Sequence, residues 1–172
     1  MEKQTLNKFD EKITIPKVVK RILENSLLGL DFATDIILPS TLEYFTPYAI
    51  MEIGKKRDDE ANNYPKTSIN LHIENSDNFT TINGALYTKD MERLVLYPVD
   101  DYRENVTIPD GVVILDDYVL MGARMRNLTI PDSVQVIGRW AFSNNLSLTT
   151  LDLGDGVTEI RENAFSHCKN LE

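Results

Sequence analysis

Few side chains in this 172-residue sequence are equipped for chemistry. The two histidines, His72 and His167, lie far apart in the chain, and the one cysteine, Cys168, directly follows His167. Chain neighbours usually point apart, and a His acting as base needs a third group to orient it, so His167-Cys168 does not read as a catalytic dyad. A single Cys excludes an internal disulfide and packs as a small hydrophobe. No Cys/His spacing suits zinc, and no Gly-rich phosphate loop follows a strand-like run. The acidic pairs Asp58-Asp59, Asp100-Asp101 and Asp116-Asp117 lack the EF-hand spacing. Asn78-Phe-Thr80, Asn105-Val-Thr107, Asn127-Leu-Thr129 and Asn145-Leu-Ser147 match the glycosylation pattern, but a repeating chain multiplies such triplets by itself. The expectation is a non-enzyme without metal or cofactor.

Composition narrows the partners. The net charge of −9 offers no basic footprint for nucleic acid or an anionic membrane. No apolar run reaches the 18 residues of a membrane span, and the first residues lack the apolar core of a signal peptide. The start therefore reads as that of an intracellular chain, or of a piece cut from a larger exported one.

The elements that must position any functional residue repeat. Ile130, Val134, Ile137, Ala141, Phe142 and Leu148 recur 23 residues later as Leu153, Val157, Ile160, Ala164, Phe165 and Leu171. Leu/Ile-rich periods of 20–29 residues specify a leucine-rich-repeat solenoid, in which each coil buries its apolar residues only against its neighbours. In Leu-x-Ile-Pro a short strand alternates its apolar residues inward, and the Pro ends it because it cannot donate a ladder hydrogen bond. Gly154 takes the Pro place in the last copy.

These residues resemble the BspA-like leucine-rich repeat family, whose signature Ile-Pro-x-x-Val-x-x-Ile-x-x-x-Ala-Phe-x-x-Cys-x-x-Leu is kept by Val157, Ile160, Ala164, Phe165, Cys168 and Leu171. The preceding copy has Asn145 in the Cys slot. An insert known in that family is matched by Asn75, Phe79, Gly84, Leu86, Tyr87, Lys89, Asp90, Leu94, Tyr97 and Pro98. The resemblance implies a curved solenoid with short parallel strands on its concave face. It also implies a binding or adhesion scaffold of the bacterial surface or secreted type.

The expected fold is α/β or mainly β: one right-handed coil of about six units. Residues 1–12 read as an N-terminal cap, 13–53 as two degenerate repeats and 54–68 as an exposed polar loop. Residues 69–105 read as a repeat with a hairpin insert, and 106–172 as three regular repeats with an uncapped end. The insert explains a spacing of 35 between Ile73 and Ile108: the runs Phe79–Tyr87 and Arg93–Tyr97 around a polar turn read as a hairpin, and Asn83-Gly84 precedes the first strand of that pair and sets a tight bend.

If the strands line one face, their outward residues form a ladder of Thr14, Ile37, His72, Thr107, Thr129 and Asp152. A second column holds Lys12, Asp35, Asn70, Asn105, Asn127 and Thr150. Solenoids use such faces for recognition, and small polar residues also merely solvate a sheet. The hairpin aromatics Phe79, Tyr87 and Tyr97 form a competing surface. Phe165 and Leu171 at the uncapped end offer a homodimer contact. Three readings follow: a non-catalytic protein-interaction or adhesion module with a macromolecular partner, a repeat fragment or self-assembling subunit of a larger surface protein, and a small intracellular inhibitor or immunity-type protein.

Overall fold

The computed structural model describes residues 11–27, 33–50, 69–98 and 103–172. Most of the expected cap and the whole loop at 54–68 lie outside them. In chain order the strands are β1 Lys12–Thr14, β2 Arg21–Ile22, β3 Asp35–Ile37, β4 Tyr44–Phe45, β5 Asn70–His72, β6 Phe79–Ile82 and β7 Ala85–Thr88. They continue with β8 Arg93–Leu96, β9 Asn105–Thr107, β10 Ile114–Leu115, β11 Asn127–Thr129, β12 Val136–Ile137, β13 Thr150–Asp152 and β14 Glu159–Ile160. The only helix among the described residues is a single 3-10 turn at Pro47–Ala49. The solenoid is therefore mainly β, not α/β.

One construction serves four of the six coils. A three-residue strand buries its central side chain, as Ile13, Ile36, Leu71, Val106 and Leu128 do, and turns its two flanking side chains outward. A Pro follows and stops the strand, and its carbonyl accepts the N–H three residues on: Val19 on Pro16, Leu42 on Pro39, Val134 on Pro131. Nine residues after the first buried side chain a two-residue strand buries another: Ile22, Phe45, Leu115 and Ile137. Neighbouring coils pair these strands in parallel, so that Ile13 lies beside Ile36, Leu128 beside Leu151, and Ile137 beside Ile160. On the far side the rings of Phe142 and Phe165 stack at 5.1 Å, 8° from parallel. Six first strands thus mark five complete turns.

The third coil carries the expected pair of strands, β7 and β8, and adds one more, β6, ahead of them. Asn83 (φ 50°) and Gly84 (φ 81°) form the expected bend before β7, a two-residue left-handed turn that joins it to β6. The result is an antiparallel three-stranded meander, β6-β7-β8, whose last strand then pairs in parallel with β10. The second turn is held by Asp90 Oδ1, which accepts from Thr88 Oγ1 at 2.6 Å and from the Glu92 N–H at 3.0 Å.

This meander divides the interior. Phe79, Leu86, Val95 and Leu96 pack with the first two coils, whereas Ala85, Tyr87, Leu94 and Tyr97 pack with the last three. Strand β7 is apolar and buried on both faces. The apolar interior is two clusters with a shared wall.

Candidate functional surface and its relatives

The outward columns align as the periodicity requires, in two halves. In the first, Lys12, Asp35 and Asn70 are in register, as are Thr14, Ile37 and His72. In the second, Asn105, Asn127 and Thr150 are in register, as are Thr107, Thr129 and Asp152. Between His72 and Thr107 the ladder is broken. The outer edge of β5 is occupied by the meander: the Leu71 N–H donates to the Gly84 carbonyl at 3.0 Å, and the Ile73 N–H to Thr81 Oγ1 at 3.4 Å. Gly84 sits so close to β5 that a Cβ there would lie 2.5 Å from Asn70 Oδ1.

The halves differ in charge. On the first, His72 Nε2 lies 2.6 Å from Asp35 Oδ1, and Thr34 Oγ1 donates to Asp35 Oδ2 at 2.8 Å. These two bonds, with Lys12 nearby, hold the Asp35 carboxyl below its ordinary range. On the second, Asp152 is the one charged group of its two columns, and Asn127 Nδ2 donates to Asn105 Oδ1 at 2.7 Å. The Asp35–His72 contact spans 37 residues across the polar stretch after Ile53, so the 23-residue period gave no signal for it.

The remaining residues of interest are committed to structure. Phe79, Tyr87 and Tyr97 are 7%, 3% and 5% exposed, because both faces of the meander meet a core. The surface the hairpin offers is instead Ile82, Asn83, Lys89 and Asp90. Asp116 receives Arg93 Nε at 3.1 Å, and Asp117 Oδ1 accepts the Arg139 N–H at 2.7 Å. Burial pushes the Asp116 carboxyl up despite its guanidinium partner. His167 is exposed in the left-handed region (φ 62°), while Cys168 is half-buried with its thiol on the Phe142 carbonyl at 3.1 Å. Burial raises that thiol's pKa, which suppresses the nucleophilic thiolate. Among the described residues no group of three or more His, Cys, Asp and Glu could hold a metal ion. None of the described helices is long and apolar enough to cross a membrane. In the last coil Phe165 and Leu171 are half-buried and Ile160 is 51% exposed.

Comparison with known proteins agrees with this architecture. The profile of the BspA type leucine rich repeat region matches residues 100–172. Among solved structures, a leucine rich cell surface protein from Faecalibacterium prausnitzii superposes with a TM-score of 0.68 at 21% identity, over 94% of this chain and 46% of its own. The pneumococcal vaccine antigen PcpA gives 0.71 at 18% identity, over 94% and 44%. A leucine-rich repeat protein from Eubacterium ventriosum gives 0.62 at 18%, over 93% and 46%. The chain thus spans less than half the length of these relatives, and the likeness is one of fold. No curated protein matches the sequence. Residues 100–172 are thus similar to the BspA type leucine rich repeat region, on a solenoid whose earlier coils pair their strands in the same parallel register.

Proposed function

We propose that this chain is a non-catalytic binding module that recognises a protein partner through its concave strands. One observation carries the reading: twelve outward side chains are presented in register on two sets of three strands, and eight of them are exposed. A face of this kind supplies hydrogen-bonding groups at the inter-strand spacing of about 4.8 Å over a rigid support. Of the two halves, the second is the better recognition surface. Its amides and hydroxyls are neutral and Asp152 is its one charged group, so less desolvation opposes a partner there than on the first half. The test is capture from host matrix proteins and, separately, from cytosolic lysate. Replacing Thr107 and Thr129 together by Arg should abolish capture of whichever partner is found, and replacing exposed residues of the opposite side should not. Retention by the double variant would refute the concave site.

A second reading, self-association through the last coil, is favoured by the exposed Ile160 beside the half-buried Phe165 and Leu171. Sedimentation of Ile160→Glu against the unaltered chain separates it from partner binding.

A further inference from the structure

The corner after the second strand of a coil is turned by one residue in the left-handed region. It stands three residues past Leu115, Ile137 and Ile160, which are cross-strand partners, and three past Ile22 in the first coil. The first and last coils place Asn there, Asn25 (φ 58°) and Asn163 (φ 56°). The fourth and fifth place aromatics, Tyr118 (φ 63°) and Trp140 (φ 56°). Asn tolerates this backbone, whereas a bulky side chain is strained in it. The fold asks for no ring at this corner, because the Asn coils turn it without one. A strained residue standing where an unstrained one serves points to use rather than to packing.

Neither aromatic lies on an end coil. The Tyr118 N–H donates to the Arg139 carbonyl at 2.8 Å, and the Trp140 N–H to the Glu162 carbonyl at 3.1 Å, so a further coil follows each. On the other side of the fourth coil, the Val119 carbonyl accepts the Tyr97 N–H at 3.1 Å. Covered from both sides, Tyr118 and Trp140 are still only half-buried.

The column beside them is polar. Asp117, Arg139 and Glu162 directly precede Tyr118, Trp140 and Asn163. Asp117 Oδ1 accepts the Arg139 N–H at 2.7 Å, which leaves Oδ2 as an acceptor. Among the described residues, the Arg139 guanidinium and the Glu162 carboxylate have no hydrogen-bond or ion-pair partner. An acceptor, a donor and a second acceptor leave one net negative charge, which selects no strongly charged ligand. No aliphatic side chain stands in either column of these three coils, as a protein hot spot would require. A neutral sugar suits such a surface. Its hydroxyls both donate and accept, and its C–H face covers an aromatic ring and removes apolar area from water.

We infer that Trp140 and Tyr118 form a stacking platform for a neutral hexose unit of a glycan, whose hydroxyls are held by Asp117, Arg139 and Glu162. Neighbouring coils lie about 4.8 Å apart, close to the width of one pyranose ring, so the two aromatics serve one unit. The site is separate from the concave strands and does not depend on what they bind.

The test uses the full chain on an array of neutral glucans, galactans and mannans beside sulfated and sialylated oligosaccharides. Neutral members should bind. Trp140 is the only tryptophan, so its emission should shift saturably as the best-bound neutral oligosaccharide is titrated in solution. Trp140→Asn should weaken that oligosaccharide at least about ten-fold by calorimetry. The same variant should keep or raise the thermal midpoint, because Asn25 and Asn163 already serve this corner. The Thr107/Thr129 double Arg variant should bind the oligosaccharide normally, which separates this inference from the concave reading. Binding confined to sulfated or sialylated members, no binding at all, or full binding by Trp140→Asn would overturn it. So would a clearly lowered midpoint for Trp140→Asn, which would make the ring a packing group.

Discussion

Two acidic residues respond to pH in opposite senses. Asp35 binds its proton less tightly folded than unfolded, so it contributes stability above the ordinary carboxylate value of about 3.9. That contribution disappears as pH falls through its depressed folded value. Asp116 binds its proton more tightly folded, so its charged form is a cost at neutral pH that falls as the medium is acidified. Urea midpoints followed from pH 7 to pH 3 should therefore fall less steeply for Asp35→Asn than for the unaltered chain; equal slopes would deny the His72 contact its role. Asn145 presents a different imbalance. It is fully buried, and neither polar atom of its side chain has a hydrogen-bond partner. The next coil places Cys168 in that slot, bonded to a carbonyl. Asn145→Cys should raise stability by about 1–2 kcal/mol by removing an unsatisfied buried amide, read as a higher thermal midpoint. The slot was legible from the 23-residue period. The orphaned amide was not, since satisfaction depends on atoms of two other coils.

At the scale of elements, the inserted meander departs most from what the period alone requires. The Asn-Gly bend and the strand pair around the polar turn were legible in the sequence, but the third strand, Phe79–Ile82, was not. The reason is physical: β7 is buried on both faces, so its side chains give no sign of which edge a further strand covers. Gly84 anchors this element to β5, and its left-handed backbone disfavours any side chain. Gly84→Ala should cost about 1–2 kcal/mol from backbone conformation alone, even though Asn70 can swing aside. An equally close approach, but to backbone, occurs at Gly138, where a Cβ would lie 2.5 Å from atoms of both Asp116 and Asp117. Backbone cannot yield as a side chain can, so Gly138→Ala should be the more damaging of the two in chemical denaturation. A smaller loss than for Gly84→Ala would contradict the stacking of β10 on β12.

For the whole molecule, the stacking of coils was readable from the recurrence of Ile, Val, Ala and Phe, and the stacked rings of Phe142 and Phe165 realise it. The sequence did not foretell the partition of the interior, because that depends on which side of the meander each apolar residue faces. Stability in stacked repeats is carried between nearest neighbours. Phe142→Ala should therefore cost about 3–5 kcal/mol and act unevenly. Hydrogen exchange should quicken across 103–172 while Ile36, Leu42 and Phe45 keep their protection behind the meander; uniform loss would mean one undivided cooperative core. The same partition splits the outward strand face into a half that holds Lys12, Asp35 and His72 and a half whose one charged group is Asp152, on which the binding proposal rests. The most direct test is the pattern of inter-strand nuclear Overhauser contacts. Predicted are contacts linking Asp35 to Asn70, Asn105 to Asn127, Asn127 to Thr150, and Leu71 to Gly84. A continuous parallel pairing of Leu71 with Val106 and no contact from Gly84 would contradict the divided solenoid.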